Sequence, residues 1–478
     1  MKAGFSSKII TPDLQDRDEP LRLGGFLPRE YCTGVHDDLY IRGVYIEGNV
    51  DDLSTHILML VGDVIAIDKN LAIFVKRQIS QQIPIQPRNI MISATHTHHG
   101  PDYKGAFLVG GGLSNIQGFL FPRPQTEELI RFGKKIIQCA VEAYNNRLNV
   151  CMAVNQVNID ETERVMINRR APFDYNKAKY PVTVIKFCRA HQSGEQGSAK
   201  RVVGAIVNYA MHGTVLPRYN TLITADYVGY VIKYLENKYP ERKGNFIYFN
   251  GPCGEINPLT RELQIKMKLA KGSIEYLSND DIYDQRGTWE DAKRIGETIG
   301  KTAFNAMTSI DETDCKEYNK KKNVSMREKI IRIPLTDYNF GTGLSENLNR
   351  LLFKLKKKMF IFLAKIGILK SSVLISVENL PDGYVEAYLQ AITIGELNIY
   401  TIPGEFFLKL GQEIMEYSNH RFPDKKSCLI ELANNSVGYL YTVEAFVEGG
   451  YESGFSLTPL GGRYLTMKFK QFIKELDE

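Results

Sequence analysis

Three of the eight histidines in this 478-residue chain fall within four positions, in Ala94-Thr95-His96-Thr97-His98-His99-Gly100-Pro101. Neutral imidazole is a good nitrogen donor for Zn²⁺ and similar ions, and it exchanges protons near pH 7. The residues before it, with Ile90 and Ile92, read as a short buried strand that Gly100-Pro101 stops. Side chains alternate faces along an extended segment, so His96 and His98 are expected on one side. A lone histidine at a strand end is as a rule a satisfied core residue. Three where a strand opens into a loop point to a metal or proton-transfer site, whose other ligands must come from elsewhere.

Val207-Asn-Tyr-Ala-Met-His212-Gly213 repeats the pattern of an apolar strand ending in histidine before glycine, and His212 becomes a second imidazole candidate. Pro403-Gly404-Glu405 follows the apolar run Ile399–Ile402. The turn predicts Glu405 at a helix start, where free N–H groups also favour a plain capping carboxylate. Tyr439, Tyr441 and Tyr451 follow the last strand pattern and by themselves read as core aromatics with a polar tip. Asp63 and Asp226 stand near strand or loop ends, as acceptors behind the imidazoles or as capping residues.

These residues need a scaffold of strands whose ends meet. Strand patterns occupy 40–49, 57–63, 89–94, 150–159, 182–189, 201–210, 245–250, 324–334, 387–401 and 427–441. Helical patterns run to about 82 and over 125–146, 226–239, 287–309, 344–367, 405–418 and 459–476. This alternation predicts an α/β protein with mixed β-sheets flanked by helices. No repeat, low-complexity block or Pro/Ser linker divides it, so one large domain over residues 1–478 is expected. Gly110-Gly111-Gly112 reads as a loop bordering the site rather than a phosphate cradle, because no GK[ST] helix start follows it.

A net charge of +5 with no basic stripe argues against nucleic acid as a partner. The seven cysteines are scattered without a CxxC pair, which fits reduced thiols. The N-terminus lacks the apolar core of a signal peptide, and no apolar run reaches membrane-spanning length, so a cytoplasmic protein is expected.

Together the motifs resemble those of the neutral/alkaline (non-lysosomal) ceramidases. Ala94-Thr-His96-Thr-His98-His99-Gly-Pro resembles that family's ATHTHSGP signature, and Asn168-Arg169 its Asn-Arg. Tyr209-Ala-Met-His212, Pro403-Gly-Glu405, Tyr439-Leu-Tyr-Thr and Tyr451-Glu resemble further family motifs in the same chain order. The resemblance implies the family's catalytic-domain fold over nearly the whole chain, without the separate C-terminal β-domain of larger members. It implies one Zn²⁺ per chain held by His96, His212, Glu405 and the phenol of Tyr439, with His98, Arg169 and Tyr451 lining the site. Gly254-Glu-Ile-Asn257-Pro258 resembles Gly-Asp-Val-Ser-Pro, with Asn257 where the family carries an active-site serine. Asparagine still donates and accepts hydrogen bonds, so a change of substrate recognition is expected there.

The implied activity is hydrolysis of the amide of an N-acyl amine, ceramide or another acylated metabolite, by a zinc-activated water, with His98 carrying the proton. Two other readings stand. His96-Thr-His98 is also the HxH of metal-dependent amidohydrolase barrels, although only His191, His212 and His420 lie downstream. A binding protein that kept the scaffold while Asn257 ended the chemistry is the other. Residues 348–369 combine Leu351, Leu352, Phe353 and Met359-Phe-Ile-Phe-Leu with Lys354, Lys356, Lys357 and Lys358. They read as a core helix with a solvated lysine edge, or as one that lies on a membrane surface.

Overall fold

The computed structural model describes residues 1–15, 21–26, 30–103, 126–190, 201–274, 286–311, 314–334, 384–452 and 460–477, with isolated positions between them. Gly110–Gly112, His191 and most of 348–369 lie outside the described residues.

Eight strands form the largest sheet: β1 (Lys2–Ile9), β2 (Tyr40–Glu47), β3 (His56–Gly62), β4 (Ile90–Ala94), β5 (Leu148–Val157), β6 (Val182–Arg189), β7 (Val202–Tyr209) and β8 (Phe246–Asn250). Their order is β8-β7-β6-β5-β1-β2-β3-β4. At the centre β1 and β5 pair only through Lys2↔Asn149 and Ala3↔Leu148, which divides the sheet into two four-stranded halves. Each half has the same wiring. Two antiparallel pairings (β1-β2-β3 and β5-β6-β7) are followed by a parallel one, β3 with β4 and β7 with β8.

The parallel pairings require helical crossovers, supplied by α1 (Lys69–Ser80) and α3 (Tyr227–Lys238), while α2 (Thr126–Asn145) and α4 (Trp289–Thr308) complete the outer layers. Helices α1 and α2 pack Val75, Ile79, Phe132 and Ile136 on Leu58, Leu60 and Ile92. On the other half α3 and α4 pack Val231, Leu235, Ile295 and Ile299 on Val207 and Tyr248. The inner faces meet each other, with Val61 and Met91 sharing one core with Ile247 and Phe249. Strand β4 is therefore buried on both faces, which is why its sequence shows no polar alternation.

A second sheet, β9 (Val324–Pro334), β10 (Tyr384–Ile394), β11 (Leu397–Thr401) and β12 (Lys426–Ile430), closes one end of that core with Met326, Ile392, Ile399 and Ile430. Its other face lies under α5 (Leu408–Arg421) and α6 (Gly461–Asp477), against Phe469 and Ile473. Among the described residues no helix is long and apolar enough to cross a membrane.

The fold is mixed α/β, as expected, and its mixed strand directions exclude the parallel amidohydrolase barrel. Three differences concern the strands. Strand β1 was not anticipated, because Ser6, Ser7 and two lysines mask an inward row of Ala3 and Phe5. The predicted strand 387–401 is a hairpin that turns at Gly395, whose φ of 60° suits a residue without a Cβ. The predicted strand 427–441 stops at Ile430.

The chain beyond β4 and the chain beyond β7 run side by side, bridged in parallel at Thr97 and Gly213. His98 N donates to Gly213 O at 3.2 Å. A Cβ on Gly213 would stand 2.5 Å from His96 O. Gly213→Ala is therefore expected to push the two histidine segments apart and to cost about 1–3 kcal/mol of stability, as other overpacking does; urea unfolding of the two proteins measures it.

Candidate metal centre

His96 follows β4 and takes a φ of 67°. The segment is therefore not extended there, and the alternation argument for His96 and His98 does not hold. Their rings still meet, at 4.9 Å between centroids, because the left-handed residue turns the loop back on itself. The His96 ring also lies 4.7 Å from that of His212, which follows β7.

Both rings are held from behind by main-chain carbonyls: His96 Nδ1 to Ile65 O at 2.8 Å, His212 Nδ1 to Cys253 O at 2.7 Å. A carbonyl only accepts, so Nδ1 carries a proton and each Nε2 is turned towards the site, where its lone pair could serve a cation. Asp63 and Asp226 do not orient the imidazoles. Asp63 accepts from Arg42 Nη1 and Tyr40 N, both at 2.8 Å. Asp226 caps α3 and accepts from the backbone of Val215, Leu216 and Tyr227.

Glu405 is not at a helix start. It begins a two-residue strand, Glu405–Phe406, paired in parallel with Tyr439–Leu440, and α5 opens three residues later. There the Leu408 N–H finds a different carboxylate, that of Glu255, at 3.0 Å. The strand register sets Glu405 opposite Tyr439 and delivers both to the histidines. Glu405 Oε2 is 3.2 Å from His212 Nε2 and 3.4 Å from His96 Nε2, and the Tyr439 phenol oxygen is 3.4 Å from His212 Nε2.

The electrostatics follow from burial. It pushes the Glu405 carboxyl up, but His96 and His212 beside it outweigh this and hold it well below its ordinary range. Burial lowers His212 to about 4. Burial and then the neighbouring His96 and His212 push His98 well below its ordinary value, so it is neutral at pH 7. Burial and then Glu405 drive the Tyr439 phenol well up.

His96 Nε2 and both His98 nitrogens are buried without a hydrogen-bond partner among the described residues. Buried polar atoms are rarely left so, and lone pairs converging beside a carboxylate suit a cation. Ligand nitrogens of His96, His98 and His212 lie within 4.8 Å of one another. The three imidazoles could hold a metal ion, and their donor type suits Zn²⁺, with the Glu405 carboxylate beside them.

Arg169 is locked beside them. Its Nε donates to Glu452 at 2.8 Å, Nη1 to Asn257 Oδ1 at 3.0 Å and Nη2 to Gly254 O at 2.5 Å. The guanidinium stands 5.4 Å from the Tyr439 ring centre and 5.8 Å from that of Tyr451. Asn257 also donates from Nδ2 to Ile282 O at 2.8 Å, so both ends of its amide are engaged within the protein. Tyr451, 44% exposed, is the most solvent-facing of the set.

The description "Neutral/alkaline non-lysosomal ceramidase, N-terminal" matches residues 23–335, more than half of the chain. The chain belongs to that family. Neutral ceramidases of Drosophila melanogaster and Drosophila pseudoobscura pseudoobscura are 26% and 25% identical over 252 residues, 48% of this chain and 32% of each relative. This chain therefore matches about a third of the length of those curated relatives. The crystal structure of neutral ceramidase from Pseudomonas aeruginosa superposes with a TM-score of 0.68 at 17% identity, covering 100% of this chain and 74% of the other. A ceramidase complexed with C2 gives 0.66 at 16% identity, with the same coverage. At these identities the likeness to the two structures concerns the fold.

Several contributors were not singled out from the sequence. Carbonyls such as Ile65 O and Cys253 O carry no residue signature. Gly25 sits so close to His98 that a Cβ would stand 2.1 Å from the histidine Cβ, and the Phe26 ring lies 4.7 Å from the His98 ring. Glu452 was legible only as the residue after Tyr451, yet it pairs with both Arg169 and Arg170.

Burial raises the Glu452 carboxyl, and Arg169 reverses this to hold it below its ordinary value. That contribution to stability is present above the unfolded-state value of about 4.3 and is lost as pH falls through the lowered folded value. Glu452→Ala, which strands a buried guanidinium, is expected to cost about 3–5 kcal/mol at neutral pH. Urea unfolding as a function of pH should show the variant lacking that part of the acid-induced loss.

Proposed function

We propose that this chain is a zinc-dependent amidase that hydrolyses N-acyl amines, ceramide-type lipid amides first among them. The observation that carries this reading is the convergence of two imidazole Nε2 atoms, one carboxylate and one phenol on a buried point. His96, His212, Glu405 and Tyr439 would hold the ion. When bound, Zn²⁺ polarises a carbonyl and makes water acidic enough to attack near neutral pH. The curated relatives are named neutral ceramidases, which makes a ceramide the first substrate to test.

The other residues take roles that suit their surroundings. His98 is neutral and its nitrogens have no protein partner among the described residues, so it can take a proton from the attacking water and return it to the leaving amine. Arg169 cannot swing, and it supplies a fixed positive field towards a developing oxyanion while steadying Tyr439 and Tyr451. Tyr451, partly exposed, is positioned to meet the substrate as it enters. Asn257 serves Arg169 and positions it.

Metal analysis of the purified protein with an N-acyl amine panel that includes a short-chain ceramide tests this. About one zinc per chain is expected, with hydrolysis abolished by a chelator and restored by added Zn²⁺. His96→Ala and Glu405→Ala are expected to fall to background. Hydrolysis that survives chelation and His96→Ala overturns the proposal.

A further inference from the structure

Glu431, the residue after β12, is wholly buried and lies outside the set assigned above. Its carboxylate joins two segments distant in sequence. Oε2 accepts from Cys253 N and from Phe406 N, each at 3.1 Å, and Oε1 is 2.8 Å from Cys253 Sγ. Cys253 is the residue whose carbonyl holds His212 Nδ1, and Phe406 directly follows Glu405. One side chain therefore ties the support of one candidate ligand to the strand that carries another.

The surrounding backbone is built to present it. Glu431 N donates to Asn250 O at 3.0 Å, at the end of β8. The next residue, Leu432, takes a φ of 53°, which a branched side chain seldom adopts. Leu432 N and Ala433 N donate to Gly404 O and Ile402 O, so this short segment wraps the turn that leads to Glu405. Strain of this kind persists where surrounding contacts over-determine it.

We infer that Glu431 is a positioning residue of the metal site, setting the spacing of His212 and Glu405 through the backbone N–H groups of Cys253 and Phe406. This rests on the metal-site reading above. What the role requires is an acceptor oxygen at the right reach. Glutamine keeps one; leucine fills the volume without one and leaves two buried N–H groups unpaired.

Co²⁺ is the probe, with affinity measured by chelator competition, ligand geometry by the visible spectrum and folding by thermal denaturation. Glu431→Leu is expected to weaken Co²⁺ binding about 10- to 100-fold, as loss of a residue supporting a metal ligand does, and to change the spectrum. Glu431→Gln is expected to restore affinity to near that of the unaltered chain. A folded Glu431→Leu protein with unaltered affinity and spectrum overturns the inference, because a purely structural role moves the melting temperature alone. Should the leucine variant not fold, Glu431→Asp, shorter by one methylene, decides: weakened binding in a folded protein supports the inference, and unaltered affinity overturns it. An unsubstituted chain that binds no Co²⁺ overturns the metal-site reading and this inference with it.

Discussion

The structure depends on a half-buried carboxylate held between two imidazoles. Glu405 touches both His96 and His212, and taking an unpaired charge out of water costs more than most single contacts return. The carboxylate therefore stays ionised only where positive charge is held beside it. Burial lowers His96 and the neighbouring Glu405 outweighs it to raise the imidazole, whereas at His212 burial prevails over the same carboxylate. A divalent ion meets the same need and leaves both imidazoles neutral. Much of the surrounding architecture reads as a means of keeping this triad in contact.

That demand falls on segments over 300 residues apart in the chain, and the fold meets it with main-chain pairing. The Thr97–Gly213 bridge aligns two loops, and the Glu405–Tyr439 register aligns two short strands. Backbone pairing fixes spacing more tightly than long side chains could, because it loses few rotamers on ordering. The cost appears as local strain. Of the five described non-glycine residues with positive φ, His96 is itself a candidate ligand, Asp226 shares a loop with Thr224, which receives the Thr97 hydroxyl, Leu432 donates to the turn into Glu405, and Asn434 donates to Ile92 of β4; only Lys271 lies apart. Such conformations survive where packing over-determines them.

How much of this was legible follows from the kind of signal each part leaves. His96 and His212 are distinctive residue types at strand ends, whereas Glu405 and Tyr439 read alone as a capping carboxylate and a core aromatic and were singled out only by the resemblance of their motifs to the family's. Their scaffold could be read as alternating strands and helices, because buried parallel strands make continuous apolar runs. What could not be read was carried by the backbone: the carbonyls that orient the rings, the left-handed turn at His96 and the close approach at Gly25. Of the two readings open for Asp63 and Asp226, support of the imidazoles does not hold for that reason, and Asp226 takes the capping one. A carbonyl does the same work with no carboxylate to desolvate, and the two aspartates were spent on Arg42 and on the start of α3.

Asn257 shows how a departure from a motif changes meaning once its partners are visible. As a replacement for a serine it invites an account in which it meets the substrate directly. In the structure its carbonyl receives Arg169 and its amide reaches Ile282 O, so it spans a gap between a guanidinium and a neighbouring main chain. A serine hydroxyl also donates and accepts, but from a single atom on a shorter side chain. Asn257 therefore bears on the site through Arg169, whose anchors Glu452, Asn257 and Gly254 O set where its charge stands relative to Tyr439 and Tyr451. On the proposed function this bridge helps to hold the Arg169 guanidinium in place, and a fixed charge is what stabilising a transient oxyanion requires.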